Sequence, residues 1–500
     1  MKRQTWSRWG AGLVVLGCGL ASAEERPVVR TQVSAFAAQR NSLDPEPELQ
    51  LGLNLGVALR ARAQDAVGWH FGADVSLSLM DAETAHLDVG APLGLHDQGS
   101  SLFVAYQPEG WAPGEGVSLT VYPADSSRLR LGWAQPATWG GNFFGRFEQT
   151  SRGRVSTPAA VLQARGAGWH VFAALKTPGW LDSLAPMVGA GVSLPMSLRA
   201  EVQAAHLQRH HYFYPGLVTP DDAQFGDAPL QEPPTTGLGK PYVQGASARL
   251  VHARGEAIGN PVDFGLYGRA PTLFDEVLRP EPSSEGVSHS VSLEATHAVM
   301  YTNWGNTPLK RRTHTNLLAL DARLRWNGVR LFALGLVRGA GAVVMEDSYL
   351  WSDYTRGTRR RAELGMSLGA DYHLASLGLT PGLGLRVVRP AAHLRPANAY
   401  SEASWWLISS EGLARVLPQG SEPRPVMSAR ASLKWNLLRQ VSAVGELAYT
   451  WAGHSLTGAG PSLSYADAVA NGSFFGPQRG AAAVLDSEGL DFNLLVQTRF

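Results

Sequence analysis

Apolar and polar positions alternate with a period of two along most of the chain. Leu49, Leu51, Leu53, Leu55, Val57, Leu59, Ala61 and Ala63 fall on one face of an extended backbone, and Gln50, Gly52, Asn54, Gly56, Ala58, Arg60 and Arg62 on the other. A helical period would scatter these residues around an axis, whereas a strand sorts them onto two faces. Trp69, Phe71, Ala73, Val75, Leu77 and Leu79 alternate in the same way with His70, Gly72, Asp74, Ser76 and Ser78. So do Leu364 to Tyr372 and Met427 to Trp435. Weaker alternation over 117–122, 128–133, 197–206, 246–254, 287–299 and 377–387 predicts further strands.

The joints between these runs are of two kinds. Trp326-Asn327-Gly328-Val329 reads as a two-residue hairpin, since Asn-Gly supplies the positive φ pair of a type I′ turn. Gly166-Ala167-Gly168 and Ala375-Ser376 read as tight turns too. Other joints are long and polar: 135–157, 208–240, 300–315, 339–358 and 452–478. Short turns at one end and long loops at the other are the asymmetry of a transmembrane β-barrel. A soluble sandwich also alternates, but its strands typically have ~5–6 residues, while a tilted membrane strand needs ~9–11, a length that many runs here reach. Aromatics collect at the ends of the apolar faces (Trp326, Tyr372, Trp435, Tyr449, Trp451), where interfacial girdles sit. The runs add up to about 18 strands, within a range of roughly 16 to 20. Two long connections follow one another around 255–315, which breaks the short–long order unless a strand is hidden there or a long segment lies at the turn end.

Composition narrows the setting. The chain has 500 residues, with 43 Lys+Arg against 42 Asp+Glu, so no global field favours nucleic acid. Charged residues are 17%, below the roughly 25% of soluble domains. Mean hydropathy is −0.10, and no stretch approaches the ~18 apolar residues of a membrane-spanning helix. The one cysteine, Cys18, excludes a disulfide framework or a cysteine-based zinc site.

Cys18 lies in a segment laid out for export. Lys2, Arg3 and Arg8 precede the short apolar run 11–17, and Ala21-Ser22-Ala23 supplies a small-x-small cleavage site. Residues 1–23 therefore read as a cleaved signal peptide. The competing reading takes Val15-Leu16-Gly17-Cys18 as a lipobox with lipidation at Cys18. Residues 24–46, with Pro27 and Pro45, read as a periplasmic lead-in, and 47–500 as the barrel with long extracellular loops.

At the chain end Phe492, Leu494, Val496, Thr498 and Phe500 share one face. This run resembles the last strand of bacterial outer-membrane β-barrels, although Thr498 stands where a larger apolar residue is commoner. The resemblance covers the whole mature chain at the level of the class, porin-like barrels of Gram-negative outer membranes. It implies an all-β, antiparallel up-and-down transmembrane barrel in contact with outer-membrane lipid. It also implies that Phe492, Leu494, Val496 and Phe500 form the signal read by the barrel assembly machinery.

Chemistry is sparse along the chain. His210-His211 point to opposite faces of an extended backbone and do not readily share a metal. Asp221, Asp222 and Asp227 match no cation-loop spacing and read as a solvated loop. Some outer-membrane barrels are hydrolases, but no motif here fixes a nucleophile beside its base. No phosphate loop, zinc motif, cofactor motif or basic nucleic-acid stripe is present in the sequence. The polar faces of the runs carry a slight excess of base. Asp321, Arg323 and Arg325, on one face of one strand, form the best candidate for a lumen cluster, followed by Arg60, Arg62, Arg430 and Lys434. Rings of basic side chains favour anions in pores, but inward Arg–carboxylate pairs also brace barrel walls.

The sequence therefore predicts a non-enzymatic passive pore or export conduit for small polar solutes or polysaccharide. The alternative is a structural or interaction barrel that anchors a surface or envelope-spanning complex, and a hydrolase is the third reading.

Overall fold

The computed structural model describes residues 28–40, 48–60, 67–83, 94–97, 100–112, 114–123, 129–133, 158–177, 184–208, 242–255, 286–302, 311–341, 359–395, 404–408, 414–417, 422–438, 441–452 and 487–499. The signal peptide, Cys18, His210, His211, Asp221, Asp222 and Asp227 lie outside the described residues. No helix among the described residues is long and apolar enough to cross a membrane.

The chain is all-β, and its main sheet is antiparallel and up-and-down. β1 (Val28–Arg40), β2 (Glu48–Arg60) and β3 (Gly68–Glu83) open it. β4 (Gly94–Asp97) and β5 (Ser101–Gln107) follow end to end along β3, which pairs Leu79 with Leu95 and then Ala73 with Leu102. β6 (Gly116–Tyr122), β7 (Ala159–Gly166), β8 (Trp169–Lys176), β9 (Ala185–Leu194) and β10 (Leu198–Gln208) come next. β11 (Tyr242–Arg254), β12 (Val287–Thr302), β13 (Arg311–Trp326) and β14 (Val329–Arg338) follow, β12 and β13 matching β3 at 16 residues each. β15 (Arg359–Arg361) runs into β16 (Glu363–Tyr372), and β17 (Leu379–Arg389) runs into β18 (Ala391–Arg395). β19 (Ser404–Ile408) and β20 (Ala414–Val416) precede β21 (Val426–Asn436), β22 (Val441–Ala452) and β23 (Ser487–Arg499).

Main-sheet strands pair with their neighbours in sequence, except that β4 and β5 both pair with β3, β14 is joined to β16 and β17 to β21. β1 pairs on both sides: Val33 lies opposite Leu55 of β2 and opposite Thr498 of β23. Beyond the main sheet, β15 and β18 keep the register of β16 and β17 (Leu364 opposite Arg389, Arg359 opposite Leu394). β19 and β20 add to β18 to make a four-stranded sheet at the long-loop end.

Three expectations change. Residues 28–40 are a 13-residue strand of the sheet, not a lead-in outside it. Their run of Ser34, Ala35, Ala37 and Ala38 gives little apolar–polar contrast, and hydrogen bonding to β2 and β23 supplies what local pattern does not. The 300–315 joint is shorter than expected, since β12 reaches Thr302 and β13 starts at Arg311. The strand expected over 128–133 is not found in its described part: within 129–133 only Leu131 makes a lone bridge, and these residues lie on the sheet's buried face, as described below.

The connection 255–286 starts and ends at the short-turn end, because Arg254 at the end of β11 pairs with His289 at the start of β12. The broken order of loops thus comes from a long segment at the turn end. At the β13–β14 turn Asn327 (φ 44°) and Gly328 (φ 86°) hold the two left-handed positions that a type I′ hairpin requires.

The sheet is inside out relative to a soluble protein. Leu383 and Leu385 are 68% and 62% exposed, while Glu201 and Arg249 are 1% and 4% exposed. Trp69, Phe71, Leu250, Leu293, Leu320 and Leu433 are exposed too, against buried His170, Lys176, Glu294, Arg330, Arg338 and Asp371. In water this would bury charge at a large cost and leave apolar area uncovered. Exposed aromatics mark the turn end of the apolar face: Trp69, packed 5.1 Å from Tyr106, with Trp169, Trp326, Tyr372 and Trp435. Tyr449 stands exposed towards the other end, and Trp451 is half-buried.

Candidate functional site: a charged inner face with a docked segment

Register lines up His170, Gly191, Glu201, Arg249 and Glu294 across β8 to β12. Glu201 is the hub of this rung. Its carboxylate accepts from Arg249 Nε at 2.8 Å and lies 2.9 Å from Arg199 Nε, with Arg249 Nη2 also in contact. Arg199 Nη2 meets His170 Nδ1 at 2.8 Å. Gly191 lets His170 and Glu201 approach, since a Cβ there would overlap the imidazole.

The segment from Leu129 to Trp133 docks on this rung. The Gly132 N–H donates to Gln203 Oε1 at 2.8 Å, and the Trp133 N–H to Glu294 Oε1 at 2.9 Å. The Arg249 guanidinium lies over the Trp133 ring, 4.6 Å from its centroid. Leu131 occupies the space left by the absent side chain of Gly245. Ser247 Oγ donates to the same Glu294 oxygen at 3.4 Å, and Thr296 Oγ1 donates to Ser247 Oγ at 2.7 Å. Leu129, Leu131 and Trp133 are all fully buried. Side chains of three adjacent strands, β10, β11 and β12, therefore hold one short segment by its backbone donors and its aromatic ring. Buried N–H groups outside a sheet need such partners.

A second charged cluster spans β13 to β16. Asp321 Oδ1 accepts from Arg323 Nε at 2.9 Å, and Arg330 Nε donates to Asp371 Oδ1 at 2.5 Å. Arg325 stands opposite Arg330 in register. Arg338 Nη2 donates to Glu363 Oε2 at 3.0 Å. Between these pairs Phe332 lies over Gly369, and Leu317, Ala319 and Leu336 form a small apolar patch. Across β21 and β22, Arg430 Nη1 is 3.6 Å from Glu446 Oε1.

Of the residues singled out in the sequence, Asp321 and Lys434 are buried and Arg323, Arg325 and Arg430 half-buried, all on this charged face. The structure brings Asp321 and Arg323 together on β13 and sets Lys434 and Arg430 on β21, with β14, β16 and β17 between. Arg60 is in β2, its side chain outside the described residues, as are Arg62 and Phe500 altogether. Phe492, Leu494 and Val496 are exposed on the apolar face. The pattern did not reveal Arg330 and Arg338, because Phe332, Leu334 and Leu336 make both faces of β14 apolar over its middle. Among the described residues no group of three or more His, Cys, Asp or Glu could hold a metal ion.

No protein-family model and no curated protein matches the sequence. Solved structures similar to the chain include outer-membrane proteins of Pseudomonas. OccK2 (OpdF) of Pseudomonas aeruginosa, solved with glucuronate, is 8% identical with a TM-score of 0.45, the match covering 95% of this chain and 96% of that one. A BenF-like porin from Pseudomonas fluorescens Pf-5 is 8% identical at 0.44, covering 95% and 98%. The outer-membrane protein opdK of Pseudomonas aeruginosa is 7% identical at 0.46, again covering 95% and 98%.

Proposed function

We propose that the chain is a passive outer-membrane pore for small polar solutes, built as a closed transmembrane β-barrel. The inversion of polarity carries this reading: exposed leucines and aromatics face outward, and ion-paired Arg, Glu and Asp face a shared interior. Closure is supported by the pairing of β1 with β23. Among the described residues the main sheet counts 19 strands, or 18 with β4 and β5 taken as one interrupted strand, an even number that sets Val28 at the start of β1 and Arg499 at the end of β23 both at the turn end. Barrels of this size leave an aqueous lumen. The segment docked at Gln203, Arg249 and Glu294 narrows that lumen, and Arg323, Arg325, Arg430 and Lys434 give it a mild preference for anions. Export by residues 1–23 and insertion through the face of Phe492, Leu494, Val496 and Phe500 belong to the same proposal.

Single-channel recording of the refolded chain from Glu24 in a planar bilayer tests the reading. Steady unitary steps with an anion-sided reversal potential are expected. Silence from a folded, heat-modifiable chain would overturn the pore. It would favour the anchoring alternative, whose support is the extra four-stranded sheet at the long-loop end, where Arg361 lies 4.4 Å over the Trp405 ring.

A further inference from the structure

The outer wall carries a polar patch. On β10 to β13, near the long-loop end, the exposed face holds His206, Gln244, His297, His314, Asn316 and Arg312 in place of apolar residues. Register sets His206 opposite Gln244, His297 opposite Asn316, and Arg312 two residues from His314 on the same face. Gln244 Nε2 meets His206 Nδ1 at 3.2 Å, and the His206 ring lies 4.9 Å from that of Tyr242. His297 Nδ1 meets Asn316 Oδ1 at 2.7 Å, and the His297 and His314 rings are 5.5 Å apart. Towards the other end the same face resumes as Val202, Leu250, Leu293, Leu318 and Leu320, all exposed.

We propose that this patch binds the phosphorylated sugar headgroup of an outer-leaflet glycolipid. The inference rests on the barrel reading, which puts this face against lipid and the long-loop end at the outer leaflet. There the side chains stand at the boundary between acyl chains and headgroups, where donors and acceptors need polar partners that acyl chains do not offer. Three strand gaps at ~4.8 Å make the patch about 14 Å across, the scale of a disaccharide. Amides, imidazoles and the Tyr242 ring match sugar hydroxyls and sugar faces, and Arg312 matches phosphate. A plain phospholipid offers phosphate to Arg312 but no sugar hydroxyls or sugar face to the amides, imidazoles and Tyr242 ring beside it. His252 and His289, which meet at 3.1 Å on the same outer face at the turn end, serve as an internal control.

The test is native mass spectrometry of the refolded full chain released from detergent with added lipid. The probes are bis-phosphorylated lipid A, dephosphorylated lipid A and phosphatidylglycerol. The parent chain retains bis-phosphorylated lipid A in preference to both others. The triple variant Arg312→Ala, His297→Ala, His314→Ala retains it about ten-fold less, the loss of one charge-assisted contact or more. His252→Ala with His289→Ala retains it as the parent does. Equal retention by the triple variant and the parent, or no preference over phosphatidylglycerol, overturns the site. Heat-modifiable gel migration is read for every chain. Its absence in the parent overturns the barrel reading and the site with it, whereas its presence in a chain without lipid preference overturns the site alone.

Discussion

The guanidinium of Arg249 lies over the ring of Trp133, 4.6 Å from its centroid, while its Nε donates to Glu201 at 2.8 Å. One side chain thus joins the docked segment to the charged rung of the sheet. A cation over a desolvated indole contributes up to about 2 kcal/mol, and the two backbone bonds to Gln203 and Glu294 add to it.

Trp133→Ala removes the ring and the apolar contact that hold the segment on β10 to β12. Unitary conductance is expected to rise relative to the parent chain, with heat-modifiability retained. Unchanged conductance would mean that the segment does not restrict the lumen.

Arg330 and Asp371 have side chains only 2% and 1% exposed. Arg330→Ala takes the guanidinium from a buried carboxylate, a change that typically costs ~3–5 kcal/mol. The variant is expected to unfold at a clearly lower urea concentration than the parent. The double variant Arg330→Met, Asp371→Leu should recover much of that loss, because no buried charge is left behind.

Gly369 leaves room for the ring of Phe332 across the β14–β16 pair. Gly369→Val forces the two side chains into the same space, an overpacking worth roughly 1–3 kcal/mol. Phe332→Ala in the same chain should relieve it. A double-mutant cycle in urea is expected to give a non-zero coupling energy, and additivity would show that the ring does not depend on that space.

Leu385 is 62% exposed in the middle of β17. On a soluble sheet Leu385→Arg would change stability by about half a kcal/mol or less. On a lipid-facing wall it should cost about 2–4 kcal/mol near the midplane. Folding equilibria in lipid vesicles distinguish the two.

Arg323 and Arg325 share the charged face of β13 with Asp321. Arg323→Ala with Arg325→Ala should move the reversal potential in a salt gradient towards the cation side. A reversal potential that stays where it was would place anion preference elsewhere on the wall.

The sequence alone determined the class of structure and the two faces of most strands. Period-two alternation is a property of the local backbone, so Leu364 to Tyr372 and Met427 to Trp435 declare their faces without reference to any neighbour. The Asn327-Gly328 turn is legible for the same reason, as its φ values are set by two residues. Partnership is not local. His170, Glu201, Arg249 and Glu294 meet because four successive registers across β8 to β12 bring them level. A register is fixed by the whole ladder and not by any one strand. β1 was hidden because its alanines and serines carry little contrast, and it becomes a strand through hydrogen bonds to β2 and β23. Leu129, Leu131 and Trp133 alternate as a strand would. Only the tertiary structure decided that their partners are side chains of the sheet's buried face, because an extended segment can satisfy its donors on Gln203 and Glu294 as well as on a neighbouring strand.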